Sequence, residues 1–490
     1  MKESRCIAHK ACGRREFIHK STLLTAGTLI MANLDVYSSR KNMDIPTVRS
    51  YGVASGYVPK IRAAFVRREE AYGMWWPGDI YDGEAARSEY TKELNKTAKE
   101  LGVKLDIRPS PIYSLKEADE WLAEAKFSQT DGLMMLLLDR QQHTWPTAQK
   151  AADSGIPTVI FSPLGTSFTT NTIHLVDKPG CIIYSTNDFS QAAYGMKMLK
   201  AGSRMKQTRC VVIKGNERIE TRLADTGITL QYVPADTFID IYNKMPVSDE
   251  VIAMTEAYLK QAINLKHATR QDVLNGIKSY LVAGEIMKNE KADAISMDCL
   301  GALGHEKVSL PCISWSRMND DGIPAACEAD TGAIASQILV QYLFDRPGFQ
   351  QDPVADTSDD TIIGAHCSCP TRLNGFNEPP EPFELIHHHG NRDAVPRTIW
   401  KEGQRITCLD FLPADNREKG RSQLLISAGT VVKNMSVPPS GGCVVSVKVK
   451  FDDGHEVLSY PGFHQLFFYG DYKHELEDFC KLYNYDPVLV

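Results

Sequence analysis

From about residue 56 to residue 185 the chain repeats one step, a short apolar run followed by a segment with helical periodicity. The runs KIRAAFVRR, VKLDIRP, GLMMLLLD, IPTVIFSP and GCIIYST read as strands, and GEAARSEYTKELNKTAKELG, SLKEADEWLAEAKFSQ and PTAQKAADSG read as helices. Strands separated by helix-length crossovers predict a parallel sheet covered by helices, because a parallel connection needs a crossover that long.

A second series starts with DFSQAAYGMKMLKAG and RCVVIKG and continues through ITLQYVP, FIDIYNK, SDEVIAMTEAYLKQAI and a helical pattern over 269–289 to ADAISMDCL. After Pro370 the composition turns to prolines, glycines and short strand-like runs, among them RTIW, RITCLDF, QLLISAGTVV, CVVSVKVKF and HQLFFYG, and KHELEDFCKLYNY reads as a closing helix. The expected class is α/β, with a signal and linker over 1–44, parallel-sheet domains over 45–185 and 186–370, and a β-rich domain with a terminal helix over 371–490.

A formal net charge of −6 and 43% hydrophobic residues exclude a disordered chain and a strongly basic nucleic-acid binder. Twelve cysteines spread over 490 residues do not form the dense pattern of a small disulfide scaffold. In ACGRREFIHKSTLLTAGTLIMA, residues 11 to 32, Arg14 and Arg15 precede a weakly apolar stretch, the pattern of a twin-arginine export signal. No later stretch reaches the roughly 18–20 apolar residues of a bilayer span. The expectation is an exported protein, periplasmic or extracellular, with no integral membrane span.

Candidate chemistry gathers in a few places. In GIPAACEADTGAIASQILVQYL, Glu328 and Asp330 precede a helix-compatible run, where carboxylates stabilise a helix start or face a ligand. Asp298 ends an apolar strand and Glu306 follows it, so Glu306, Asp330 and a distant His464 can make an oxygen-and-imidazole set for a hard divalent metal if the C-terminal domain folds back. GAHCSCPTRLNGF places His366, Cys367 and Asn374 near another strand end. Neighbouring side chains on a strand face opposite ways, which argues against a Cys–His nucleophile there. His389 closes the run HHH in FELIHHHGN, as a pocket wall or a solvated strand end.

At these residues the chain resembles the L-fucose isomerase family and, more distantly, the L-arabinose isomerases. The resemblance lies in AISMDCL, GIPAACEADTGAIAS, GAHCSCP, the SAGTVV to CVVSVKVKF segment and HQLFFYGDYKHELEDF. It implies an L-fucose isomerase-like fold, a homo-oligomer with a carbohydrate substrate, and a divalent metal, Mn2+ above others, held by Glu306, Asp330 and His464. It further implies aldose–ketose interconversion through an enediolate, with Glu306 and Asp330 moving the proton and Asp298, His366, Asn374 and His389 lining the pocket. Two other readings stand beside it: a secreted carbohydrate hydrolase using Asp330 with Glu306 or Asp298, and a carbohydrate-binding protein without chemistry.

Overall fold

The computed structural model describes residues 48–490 apart from 75–77, 79, 304–307, 389–391, 415–419 and 437–442. The signal-like segment, Glu306 and His389 lie outside the described residues.

The first sheet consists of β1 (Lys60–Val66), β2 (Lys104–Ile107), β3 (Gly132–Leu137), β4 (Thr158–Ser162) and β5 (Cys181–Ser185), in the order β2-β1-β3-β4-β5 and parallel throughout. Every residue of β3 is buried, as a central parallel strand requires when helices cover both faces. The covering helices include α1 (Gly83–Leu101), α2 (Leu115–Phe127), α3 (Thr144–Ala152) and α4 (Phe189–Gln207). Asp82 caps α1 by accepting from Glu84 N and Ala85 N, and Ser114 caps α2 by accepting from Glu117 N.

The second sheet takes β6 (Arg209–Ile213), β7 (Ile219–Arg222) and β8 (Thr229–Val233) from one stretch of chain. After α5 (Asp236–Lys244), α6 (Asp249–Leu259), β9 (Asn264–Lys266) and α7 (Arg270–Asn289) it adds β10 (Ala294–Met297) and, beyond α8 (Cys312–Asp320), β11 (Ala325–Cys327). The order is β11-β10-β6-β8-β7, parallel except for the edge strand β7. FIDIYNK forms most of α5, with Phe238 and Tyr242 buried one turn apart. Next comes α9 (Thr331–Phe344), buried at every residue after Thr331, as an all-round apolar helix must be.

The remaining chain supplies β12 (Phe349–Asp356), β13 (Thr361–His366), β14 (Phe383–His387), β15 (Ala394–Thr398), β16 (Arg405–Leu412), β17 (Gln423–Asn434), β18 (Val445–Phe451), β19 (Gln465–Tyr469), α10 (Lys473–Tyr483) and β20 (Asp486–Leu489). Six of these strands run β16-β19-β12-β13-β18-β17, each antiparallel to the next, and β17 pairs back onto β16. The sheet therefore closes into a barrel, and β20 extends it in parallel from β17. β15 and β14 form a small sheet with β9.

This closure corrects the expected fold class, in which an L-fucose isomerase-like α/β fold ended in a β-rich unit starting at 371. The barrel takes its strands β12 and β13 from residues before 370, and β9 from the second α/β region pairs with β14 beyond it. Strand periodicity reports which residues extend, and the partner that closes a sheet is set by contacts far apart in sequence. α9 bridges the barrel and the second sheet. Its Ser336 Oγ accepts from Phe411 N at 2.9 Å, and a Cβ on Gly332 would sit 2.4 Å from Phe411 O.

Candidate metal centre

Asp330 is the N-cap of α9, and its Oδ1 accepts from Ala333 N at 2.8 Å. Its other oxygen, Oδ2, lies 3.0 Å from Nδ1 of His464, the residue that enters β19. A carboxylate on Nδ1 fixes the imidazole tautomer and turns Nε2 the opposite way.

On the Nε2 side stand two more carboxylates. Glu328, just past β11, places Oε2 3.4 Å from His464 Nε2 and Oε1 3.7 Å from His366 Nε2. Asp352, on β12, places Oδ1 3.3 Å from the same His464 Nε2. The ligand atoms of Glu328, His366 and His464 all lie within 4.8 Å of one another. His464 Nε2 and Asp352 Oδ1 are both buried without a hydrogen-bond partner. A lone pair on Nε2 facing carboxylate oxygens is repulsive unless a proton or a cation lies between them.

Protonation shifts follow from that crowding. Burial works against charge on His464, but the neighbouring Asp330 and Glu328 carboxylates prevail and raise its pKa to about 10. His366 and His464 hold Glu328 far below the usual carboxylate range. Burial pushes Asp330 up, and His464 and the N–H groups of α9 more than reverse it. Asp352 is raised, chiefly by burial and despite both histidines.

The imidazoles are deep, 2% and 5% exposed for His366 and His464, whereas the Glu328 and Asp352 side chains keep 34% and 28% exposure. The cluster is thus open on its carboxylate side. Phe463, 59% exposed, sets its ring 4.3 Å from that of His464. Glu328, Ala329 and His464 have φ of 64°, 52° and 58°, left-handed values that non-glycine residues adopt at a cost and that gather at functional sites.

Of the residues singled out in the sequence, Glu328, Asp330, His366 and His464 come together. Asp330 stands on the Nδ1 side of His464, and Glu328 and Asp352 occupy the Nε2 side. Asp298 follows β10, with Oδ1 accepting from Gly301 N at 3.2 Å, and Asn374 is exposed and donates to Glu381 Oε1 at 2.7 Å. Asp352 escaped sequence reasoning. Its one signal is an acid inside the strand FQQDPVAD, where carboxylates are disfavoured. A second set, Cys312, Cys367 and His388, also has its ligand atoms within 4.8 Å, so the described residues contain two candidate metal-coordinating clusters. Among the described residues no helix is long and apolar enough to cross a membrane.

No family model matches the chain, and no curated protein does. Among solved structures it is similar to a periplasmic solute-binding protein of an ABC transporter from Actinobacillus succinogenes 130z with bound D-allose, at 12% identity over 49% of this chain and 78% of that one, TM-score 0.19. It is similar to a sugar ABC transporter protein from Yersinia enterocolitica subsp. enterocolitica 8081 at 15% identity over 61% and 83%, TM-score 0.20. GanP, a glucose-galactose binding protein from Geobacillus stearothermophilus, aligns at 15% identity over 59% and 93%, TM-score 0.18. Likenesses at such scores carry no argument about what this chain does. The expected membership of the L-fucose isomerase family is corrected: no family model matches the chain, and the solved structures found are described as sugar-binding or sugar-transport proteins. The isomerase activity and the isomerase enzyme class expected from that resemblance fall with it.

Proposed function

We propose that this protein binds a small carbohydrate through a divalent cation held by Glu328, Asp352 and His464, with His366 alongside. The observation that carries the reading is the convergence of two buried atoms without hydrogen bonds, His464 Nε2 and Asp352 Oδ1, beside Glu328 Oε2. Two carboxylates and imidazole nitrogen form a hard-to-borderline donor set, which suits Mn2+. The cation would neutralise the facing carboxylates and present its remaining positions to paired hydroxyls on the open side. The exposed ring of Phe463 offers the apolar face of a sugar a flat surface. Asp330 positions His464. Its oxygens accept from Ala333 N and face His464 Nδ1, so it serves as a helix cap and an orienting group.

Equilibrium dialysis with Mn2+, followed by calorimetric titration with a panel of monosaccharides, tests this. Sugar binding is expected only in the metal-loaded protein and is expected to disappear in Asp352→Asn. Equal sugar binding in the metal-free protein, or none in the loaded one, would overturn it. We also propose twin-arginine export from the Arg14–Arg15 pattern. Replacing both by lysine should leave the precursor in the cytoplasmic fraction, and unchanged export would remove the proposal.

A further inference from the structure

Beside the carboxylate–imidazole cluster the fold assembles a set of different chemistry. Cys312 opens α8, Cys367 follows the last residue of β13, and His388 follows the last residue of β14. Their Sγ and ring nitrogen atoms lie within 4.8 Å of one another. Cys312 and His388 are buried, at 3% and 2% exposure. Two more thiols continue the set: Cys327, at the end of β11, reaches Cys367, and Cys299, after β10, reaches Cys327. Five separate elements thus deliver four thiols and an imidazole to one place. Cys327 Sγ also lies 3.1 Å from Ser368 Oγ, and Cys367 Sγ lies 3.7 Å from His366 Nδ1.

A hydrophobic core has no need to bring its cysteines together, since each packs as well against any apolar neighbour. Thiolate sulfur and imidazole nitrogen are the donors of zinc sites, where two or three sulfurs with one nitrogen make a common set. We propose that Cys312, Cys367 and His388 form a binding site for zinc, with Cys327 as the nearest further sulfur donor. It is a centre separate from the Glu328–Asp352–His464 cluster and does not depend on the function proposed for that cluster. As the two S–Zn bonds form, the Cys312 and Cys367 thiols each release a proton to solvent, and His388 coordinates as neutral imidazole. No oxidation or reduction occurs, so the step balances as two thiols and Zn2+ giving a dithiolate complex and two protons. The burial of Cys312 and His388 and the number of strand ends that meet here indicate a structural ion rather than an exchanging one.

The test uses the full chain, purified under reducing conditions, stripped of metal and titrated with Co2+ and then Zn2+. The expected result is one Co2+ with thiolate-to-cobalt charge-transfer absorption in the near ultraviolet, displaced by Zn2+. Cys312→Ser and His388→Gln should each lose or strongly weaken that band, and Asp352→Asn, in the other cluster, should keep it. Circular dichroism establishes that each variant is folded. Zn2+ should also protect Cys367 of the unmutated protein from alkylation, read by peptide mass spectrometry, which needs no variant. A folded, reduced chain that shows no thiolate band, a band that survives both substitutions, or alkylation of Cys367 unaffected by Zn2+ would overturn the proposal.

Discussion

Asp330 shows how much one carboxylate can do. It caps α9 through Oδ1 and orients His464 through Oδ2, and different substitutions separate the two roles. Asp330→Asn keeps an oxygen for Ala333 N, so its melting temperature should stay near that of the unmutated protein while Mn2+ affinity falls by about 10- to 100-fold, the usual effect of removing a partner behind a metal ligand. Asp330→Ala loses the cap too and should cost about 1 kcal/mol more in stability, read by thermal unfolding. Asp320 makes a different prediction. Burial raises its pKa to about 6, against the opposing bonds from Thr371 and Arg372, so between the ordinary carboxylate pKa and about 6 the folded chain holds a proton that the unfolded chain has lost. This contribution is complete at low pH and is lost as pH rises through about 6. Asp320→Asn should therefore gain stability relative to the unmutated protein as pH rises from ~4 to ~6, and parallel melting curves for the two across that range would refute the assignment. Glu328, Asp330, His366 and His464 were legible as polar breaks in apolar runs. Asp352 was not, because it meets His464 only through the antiparallel register that pairs Gln351 with Gln465, and no local pattern encodes that pairing.

Among the elements, α9 is the one on which the site depends most directly, since it starts at Asp330 and lies against both β16 and the second sheet. Its closest approach to the barrel is at Gly332, where a methyl group would meet the Phe411 carbonyl, a backbone atom that cannot swing aside. Gly332→Ala should destabilise the protein by about 1–3 kcal/mol and, two residues from Asp330, should weaken Mn2+ binding as well. Unfolding midpoints and equilibrium dialysis check the pair, and an unchanged midpoint would show that the helix can shift freely. Helices with clear caps, such as α1 and α2, and buried runs such as β3 could be read from local pattern. α5 shows where that reading is ambiguous: F-I-D-I-Y alternates like a strand, yet the buried pair is Phe238 and Tyr242, the spacing of one helical turn.

Across the described residues from 48 on, the parts are tied in ways that sequence order conceals. The terminal helix α10 packs on the first sheet, with Tyr184 Oη donating to Asp478 at 2.9 Å and Gly180 N donating to Lys481 O at 2.9 Å, while β20, immediately after it, extends the barrel. At the other end, Val48 N donates to Tyr280 Oη at 2.8 Å, and Asp293 accepts from Ala54 N and Ser55 N, so the stretch before β1 is anchored to the second region. Calorimetry should accordingly show one cooperative transition, and separate transitions would mean that these ties are weaker than the cores they join. Barrel closure belongs to this scale as well, because β16 meets β17 and β19 at once and only the complete chain supplies both partners. His366 and Cys367 flank a single peptide group, yet one imidazole belongs to the carboxylate cluster and the next thiol to the cysteine cluster. If each cluster binds an ion, an ion that fixed either side chain would also restrain the amide between them, and any effect of the first ion on the binding of the second would be matched in equal measure by the second on the first.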